Sequence, residues 1–279
     1  MTVRIVTDSA CDLPEAVVSE LGISVVPLSI RFGEQEFVDR RDLTPAEFWA
    51  KVAASPVLPQ TAAPSVGAFE ETFRQLADDG ATGIVCINLS ARLSATLQAA
   101  EIAAKALQGM CPVEIIDSAS VTLALGNLCI AAARKAQGGA DLARVVEHVN
   151  DLKGRTRLYG ALDTLENLKK GGRASGVQAL LGSMLSIKPI VHLEDGEVAP
   201  AGRVRTRSKS LQFLVDKVKS EGTVENLGVL HGAAPDLDDL LGMLDPLFPR
   251  EDVVVADVGP VVGTHAGPGV IGVTYHVPR

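Results

Sequence analysis

The sequence predicts an α/β fold: an N-terminal parallel sheet with helices on both faces, followed by a smaller α/β C-terminal domain. Strand-sized apolar runs alternate with helix-sized amphipathic ones through the first half of the chain, the pattern a crossover-connected parallel sheet requires. Cap and turn residues punctuate those runs where helices should start and stop. The length of 279 residues favours two domains over one, and a boundary at 152 divides residues 1–152 from 153–279.

Residues 3–7 make a short apolar strand. Asp12 reads as the cap of the next helix, with Pro14 in its first turn and Gly22 just past its end. A cap side chain accepts from free first-turn amides, proline presets the helical φ, and glycine takes the left-handed exit. Residues 23–30 are a β-branched strand. Thr44-Pro45-Ala46-Glu47 is a capping box that opens a helix through Trp49. Residues 55–65, punctuated by Pro56, Pro59 and Pro64, read as a stiff loop. Phe69, Phe73 and Leu76 share one helical face by their spacing. A strand at 84–89, a helix at 94–107, a strand at 113–117 and a helix at 120–136 follow. Gly138-Gly139, a polar helix and Lys153-Gly154-Arg155 mark the boundary. Beyond it, residues 188–193 are a strand, Asp195-Gly196 a hairpin turn, and the return strand ends near Arg205. Strands at 227–231 and 253–258 flank a helix, and residues 263–276 are a glycine-rich loop running into a last strand.

Hydrophobic residues make up 47% of the chain and charged ones 22%, with a mean hydropathy of +0.22; such a chain builds a core and is no disordered coil. The net charge of -8 repels phosphate backbones and argues against nucleic acid as a partner. Cys11, Cys86, Cys111 and Cys129 show no paired spacing and read as reduced, buried thiols of a cytoplasmic protein. No apolar leader is expected at the start, and runs such as 128–133 fall far short of the ~20 residues of a membrane span.

Three strand ends carry hydroxyls and carboxylates: Thr7-Asp8-Ser9, Ser90 through Ser94-Ala95-Thr96, and Asp117-Ser118. In an open parallel sheet these ends share the edge where ligands bind. Ser94 and Thr96 stand where a helix begins, beside free amides that suit a carboxylate or phosphate, although each serine could be only a cap. Thr61 lies between Pro59 and Pro64 in the stiff loop. Gly263-Thr264-His265-Ala266-Gly267-Pro268-Gly269 offers one histidine in a setting where a backbone can approach a ligand closely. Lys169-Lys170-Gly171-Gly172-Arg173 and the run from Arg203 through Arg205 to Arg207 are the basic clusters; they are either solvated charges or a dock for an acidic or phosphorylated partner. Phosphate-loop, dinucleotide, nucleophile-elbow and zinc-protease motifs are absent, and the five histidines lack metal spacing. A serine hydrolase or acyltransferase using Ser94, with His265 as base and Asp8 behind it, is the enzymatic alternative.

Taken in order along the chain, these segments resemble the DegV family of bacterial fatty-acid-binding proteins. The resemblance rests on Val6-Thr7-Asp8-Ser9-Ala10, Asp12-Leu13-Pro14, Val25-Val26-Pro27-Leu28, Thr61 with Pro64-Ser65, Leu93-Ser94 and Asp117-Ser118. It continues through Leu168-Lys169-Lys170-Gly171-Gly172-Arg173, Ile187-Lys188-Pro189-Ile190, and His265 with Gly267-Pro268-Gly269. The family tends to have Ser-Gly-Thr where this chain has Ser94-Ala95-Thr96, and Thr-Ser-Gln-Pro-Ser where it has Thr61-Ala62-Ala63-Pro64-Ser65. The resemblance implies two α/β domains of DegV type, with a long-chain fatty acid in a buried tunnel and its carboxylate at the domain interface. It further implies that Thr61 and Ser94 bind the carboxylate with His265 nearby. Asp8, Ser9, Thr96, Arg173, Arg205 and Gly267 are secondary positions, the two arginines serving the headgroup or the partner. The partner the resemblance implies is a fatty acid kinase of the dihydroxyacetone-kinase-like type, which would carry out the catalysis and feed phospholipid synthesis. No metal and no cofactor beyond the lipid is implied.

Overall fold

The computed structural model of the chain describes residues 2–178 and 187–279. Its first sheet is parallel, in the order β2 (Ser24–Val26), β1 (Val3–Asp8), β6 (Gly83–Asn88), β7 (Val113–Asp117). Every residue of β6 is buried, as a strand covered on both faces must be. On one face lie α3 (Val66–Asp78) and α4 (Thr96–Lys105), where Phe69, Phe73 and Leu76 pack with Val6, Ile84 and Ala100. On the other face lies α5 (Thr122–Gln137), flanked by α6 (Leu142–Arg155) and by α1 (Glu15–Leu21).

The second sheet has the order β10 (Glu197–Val204), β9 (Lys188–Glu194), β8 (Thr156–Ala161), β13 (Ile271–His276), β11 (Glu225–His231), β12 (Val254–Asp257), antiparallel except for β11 with β12. Helices α8 (Arg207–Ser220) and α9 (Leu237–Leu244) share a core with its outer face through Leu214, Leu240, Tyr159 and Tyr275. Its inner face packs on α5, which touches β1 on one side and β8, β11 and β13 on the other. Residues 122–130 of α5 are therefore all buried, the signature of a helix apolar around its whole circumference. A Cβ on Gly126 would lie 2.8 Å from the Cys11 carbonyl oxygen and from Leu13 Cδ2, so glycine is what lets α5 press against the segment leaving β1.

A third, antiparallel sheet, β4 (Gln35–Val38), β3 (Ser29–Phe32), β5 (Gln60–Ala62), stands beside them with α2 (Pro45–Ala54). Two short helices, α7 (Glu166–Lys170) and α10 (Pro260–Ala266), touch each other, and α10 also reaches α2, β3 and β5.

The structure corrects several expectations. Asp12 does not cap α1; Pro14 stands at that position without a side-chain bond, and Asp12 turns inward in the left-handed region. There it accepts from the Thr122 hydroxyl at 2.6 Å and the Gly259 amide at 3.0 Å. The run 23–30 splits at Pro27, which cannot donate to a ladder, and its halves β2 and β3 join different sheets. The loop 55–65 contains β5, and β4 and β8 carried no alternation strong enough to read. Helix α4 starts at Thr96 and ends at Lys105, inside the expected 94–107. Lys153, Gly154 and Arg155 are the last turn of α6 rather than a linker, so a cut after residue 152 falls within that helix. The glycine-rich 263–276 stretch begins as helix, and His265 is in the last turn of α10.

Asp12 is buried, and burial pushes its carboxyl up to about 8 against the pull of its two hydrogen bonds. An acid raised in the fold stabilises below its unfolded pKa and loses that contribution as pH rises through its folded one. His265 and His276, held near 4 by burial, act in the opposite sense, but only below about 6.5. Between about pH 6.5 and 8, stability should therefore fall by up to roughly 1.4 kcal/mol per pH unit. In Asp12→Asn, whose amide can bond both partners, thermal melts across that range should be nearly flat; an unchanged slope would exonerate Asp12.

Candidate functional site

Between the two sheets, at the N-terminal end of α5, lies a cavity of about 250 Å³. The second sheet gives it a largely apolar wall, because strand side chains alternate in direction; His192 of β9 also borders it, with its ring stacked on Tyr159. Leu158 and Gly160 of β8, with Leu162 just beyond it, face the cavity, whereas Tyr159 and Ala161 face the α8 side. Val191 and Leu193 of β9, Val198 of β10 and Leu230 of β11 continue the wall. The opposite wall comes from Leu28, Leu89, Leu93, Val121 and α10.

Polar groups enter mainly from the first half of the chain and the α7–α10 corner. Thr61 is on β5, paired opposite Ile30 of β3. Because β5 touches α10, the Thr61 hydroxyl meets His265 Nε2 at 3.0 Å. His265 is pressed from behind by α7: a Cβ on Gly171 would collide with its Nδ1, and that Nδ1 is buried without a hydrogen-bond partner. Burial, with a smaller contribution from the Arg173 charge, lowers the ring to about 4; the imidazole is neutral at physiological pH.

Ser94 reaches the cavity from the turn between β6 and α4, which is held by the Leu93 and Ser94 amides donating to the Ser90 carbonyl. Its hydroxyl is 2.9 Å from that of Thr96 and accepts from the Thr96 amide at 3.3 Å. Arg173 follows α7 and lines the same cavity. Its Nε donates to the Leu93 carbonyl at 3.1 Å and its Nη1 to the Gly171 carbonyl at 2.6 Å. Thr122 also borders the cavity, with its hydroxyl already given to Asp12.

The structure thus brings Thr61, Ser94, Arg173 and His265 to one cavity and leaves the other sequence candidates outside its lining. Asp8 is a clasp within the sheet edge, accepting from the Leu89 amide at 2.8 Å, Asn88 Nδ2 at 3.0 Å and the Ala10 amide at 3.1 Å. Burial raises its carboxyl to about 6. The Ser9 hydroxyl accepts from the Leu28 amide. Thr96 is buried behind Ser94. Gly267 ends α10 at a φ of +81° with the Asn167 side chain against it, and Arg205 is exposed beyond β10. Lys169 and Lys170 are the cationic last turn of α7, favourable against its carbonyl end.

The triad alternative finds no support in this geometry. His265 Nε2 is paired with Thr61, the Ser94 hydroxyl with Thr96, and Asp8 with the sheet edge. Sequence reasoning missed Gly171 as the backstop of His265, and Asn167, which donates to the Thr264 carbonyl at 3.1 Å and locks α7 to α10. Neither has a local signal, since both act through a contact between segments about a hundred residues apart. Among the described residues no helix is long and apolar enough to cross a membrane, and no group of three or more His, Cys, Asp or Glu side chains could hold a metal ion.

Comparison with known proteins matches this arrangement to one family. A family model described as "Uncharacterised protein, DegV family" matches residues 2–277. A DegV domain-containing protein of Halalkalibacterium halodurans is 34% identical, with 99% of each chain covered. Among solved structures, a fatty-acid-binding DegV family protein from Thermus thermophilus superposes with a TM-score of 0.92 at 30% identity, covering 100% of both chains. A stearic-acid-binding protein from Eubacterium ventriosum does so with a TM-score of 0.87 at 26% identity, covering 98% of both. With its mixed α/β architecture and a match spanning nearly its full length, the chain belongs to the DegV family.

Proposed function

We propose that this protein binds a long-chain fatty acid in the cavity between its sheets and presents the carboxylate to a separate kinase of the dihydroxyacetone-kinase-like type for acyl-phosphate formation, as a step toward phospholipid synthesis. The observation that carries the reading is a cavity apolar along one sheet, with two hydroxyls, a histidine and an arginine gathered on the other side. It exceeds the roughly 150 Å³ apolar void that accommodates a benzene ring. The fatty-acid ligands of the Thermus and Eubacterium relatives support the same choice. Burying about fifteen methylenes is worth on the order of 12 kcal/mol before association costs, enough for lipid to survive purification.

A carboxylate shut in such a site must be hydrogen-bonded, and the cluster is arranged to donate. With no partner at Nδ1, the ring is better off carrying its proton on Nε2, since a bare lone pair is less costly to bury than an unused N–H. Nε2–H then donates to Thr61 Oγ1, which leaves the Thr61 hydroxyl hydrogen for the ligand. Thr96 can do the same for Ser94. Arg173 adds a positive charge without needing an ion pair in the core.

Organic extraction and mass spectrometry of purified protein should yield a fatty acid, and Thr61→Ala with Ser94→Ala should lower its occupancy at least tenfold. Full retention in the double variant would remove the site assignment, and an acyl group trapped on Ser94 with ester turnover would replace the carrier by an enzyme. Incubated with the kinase, ATP and magnesium, lipid-loaded protein should support acyl-phosphate formation; a kinase that works equally well on free fatty acid would overturn presentation. In nitrogen-detected spectra, His265 should titrate near pH 4 without lipid and move upward with lipid bound, because a neighbouring anion favours imidazolium. No change on loading would place the carboxylate elsewhere.

A further inference from the structure

Gly160 is the penultimate residue of β8, pairing with Val191 on one side and Gly272 on the other. Nothing in its own surroundings requires glycine. It sits in regular strand, and a Cβ there would meet only Val191 Cγ2, at an ordinary 3.7 Å. The neighbouring strand glycines differ. A Cβ on Gly272 would lie 2.5 Å from the Tyr159 carbonyl oxygen, and one on Gly228 would lie 2.6 Å from Leu123 Cδ2; both are needed for close packing. Glycine inside a strand costs stability and forgoes a side chain's packing, so its presence at 160 gains nothing for the sheet.

What it does provide is space. Paired strand residues point to the same face, and the partner Val191 lines the cavity, as do Leu158 and Leu162 two residues to either side. In a wall whose inward side chains are mostly leucine and valine, position 160 is a recess open to the cavity. We propose that Gly160 is a specificity determinant that sets the length of acyl chain this cavity accepts. The inference rests on the fatty-acid reading and adds to it a gauge for the hydrocarbon part of the ligand.

A leucine at 160 would place four carbons in the recess, displacing about as many chain methylenes in an interior packed without slack. Delipidated wild-type protein, Gly160→Leu and Leu158→Ala are each loaded from an equimolar mixture of saturated fatty acids of graded length, and the bound acids are identified by mass spectrometry. Gly160→Leu should shift the bound distribution about two to four carbons shorter, and Leu158→Ala should shift it longer. Thermal melts confirm folding, and Gly160→Ala, with a smaller shift in the same direction, replaces Gly160→Leu should the latter not fold. Folded variants with the wild-type length distribution would overturn the gauge while leaving the fatty-acid reading intact. Wild-type protein that takes up no acid from the mixture would overturn that reading itself.

Discussion

Asp12 ties three segments of the chain together through hydrogen bonds. It follows β1, its carboxylate accepts from Thr122 at the start of α5, and it also accepts from the Gly259 amide just before α10. The position of α5 decides the middle of the molecule, because one helix about 10–12 Å across separates the two sheets. Where that helix begins, nothing of the same thickness replaces it, and the gap it leaves is the cavity. The same carboxylate fixes the approach of α10, which carries His265 to Thr61. Cavity and polar cluster are thus located by a single buried acid, in a setting that disfavours its charge.

The sheets themselves were legible in the sequence wherever burial on both faces made a strand uniformly apolar. The segment Ile84-Val85-Cys86-Ile87 announces β6, and some helices are marked by caps whose chemistry is local, as at Thr44 and Ser65. Less legible were elements whose reason lies elsewhere in the chain. β5 is a strand because β3 pairs with it, and nothing in Gln60-Thr61-Ala62 requires that. β8 follows directly on α6, and the run from Thr156 to Ala161 alternates only weakly, so neither a turn signal nor a clean pattern sets it off. Asp12 looks like a cap because caps and buried clasps use the same side chain; only the distant Thr122 and Gly259 distinguish them.

The candidate site divided along the same line. Thr61, Ser94, Arg173 and His265 stood out as polar residues beside turn-forming ones, and they converge on the cavity. Asp8 and Ser9 stood out for the same reason yet serve the sheet edge, since a strand end in a parallel sheet needs its free amides satisfied whether or not a ligand binds there. Proximity to the ligand-binding edge is thus a property of the fold. Direction into the cavity belongs to each side chain, and the backbone beyond it decides the outcome.

With a net charge of -8, the fatty-acid binding proposed for this protein would have to meet the carboxylate with local rather than global electrostatics. Here the donors are mostly neutral. A ring kept uncharged at physiological pH orients one hydroxyl, a buried threonine backs another, and a single guanidinium is bonded to backbone carbonyls. Such a set can bind a carboxylate without the desolvation cost of a fully buried ion pair. In the proposed complex the hydrocarbon would carry most of the affinity, so an unfilled position in the apolar wall would weigh more than an additional charge at the rim.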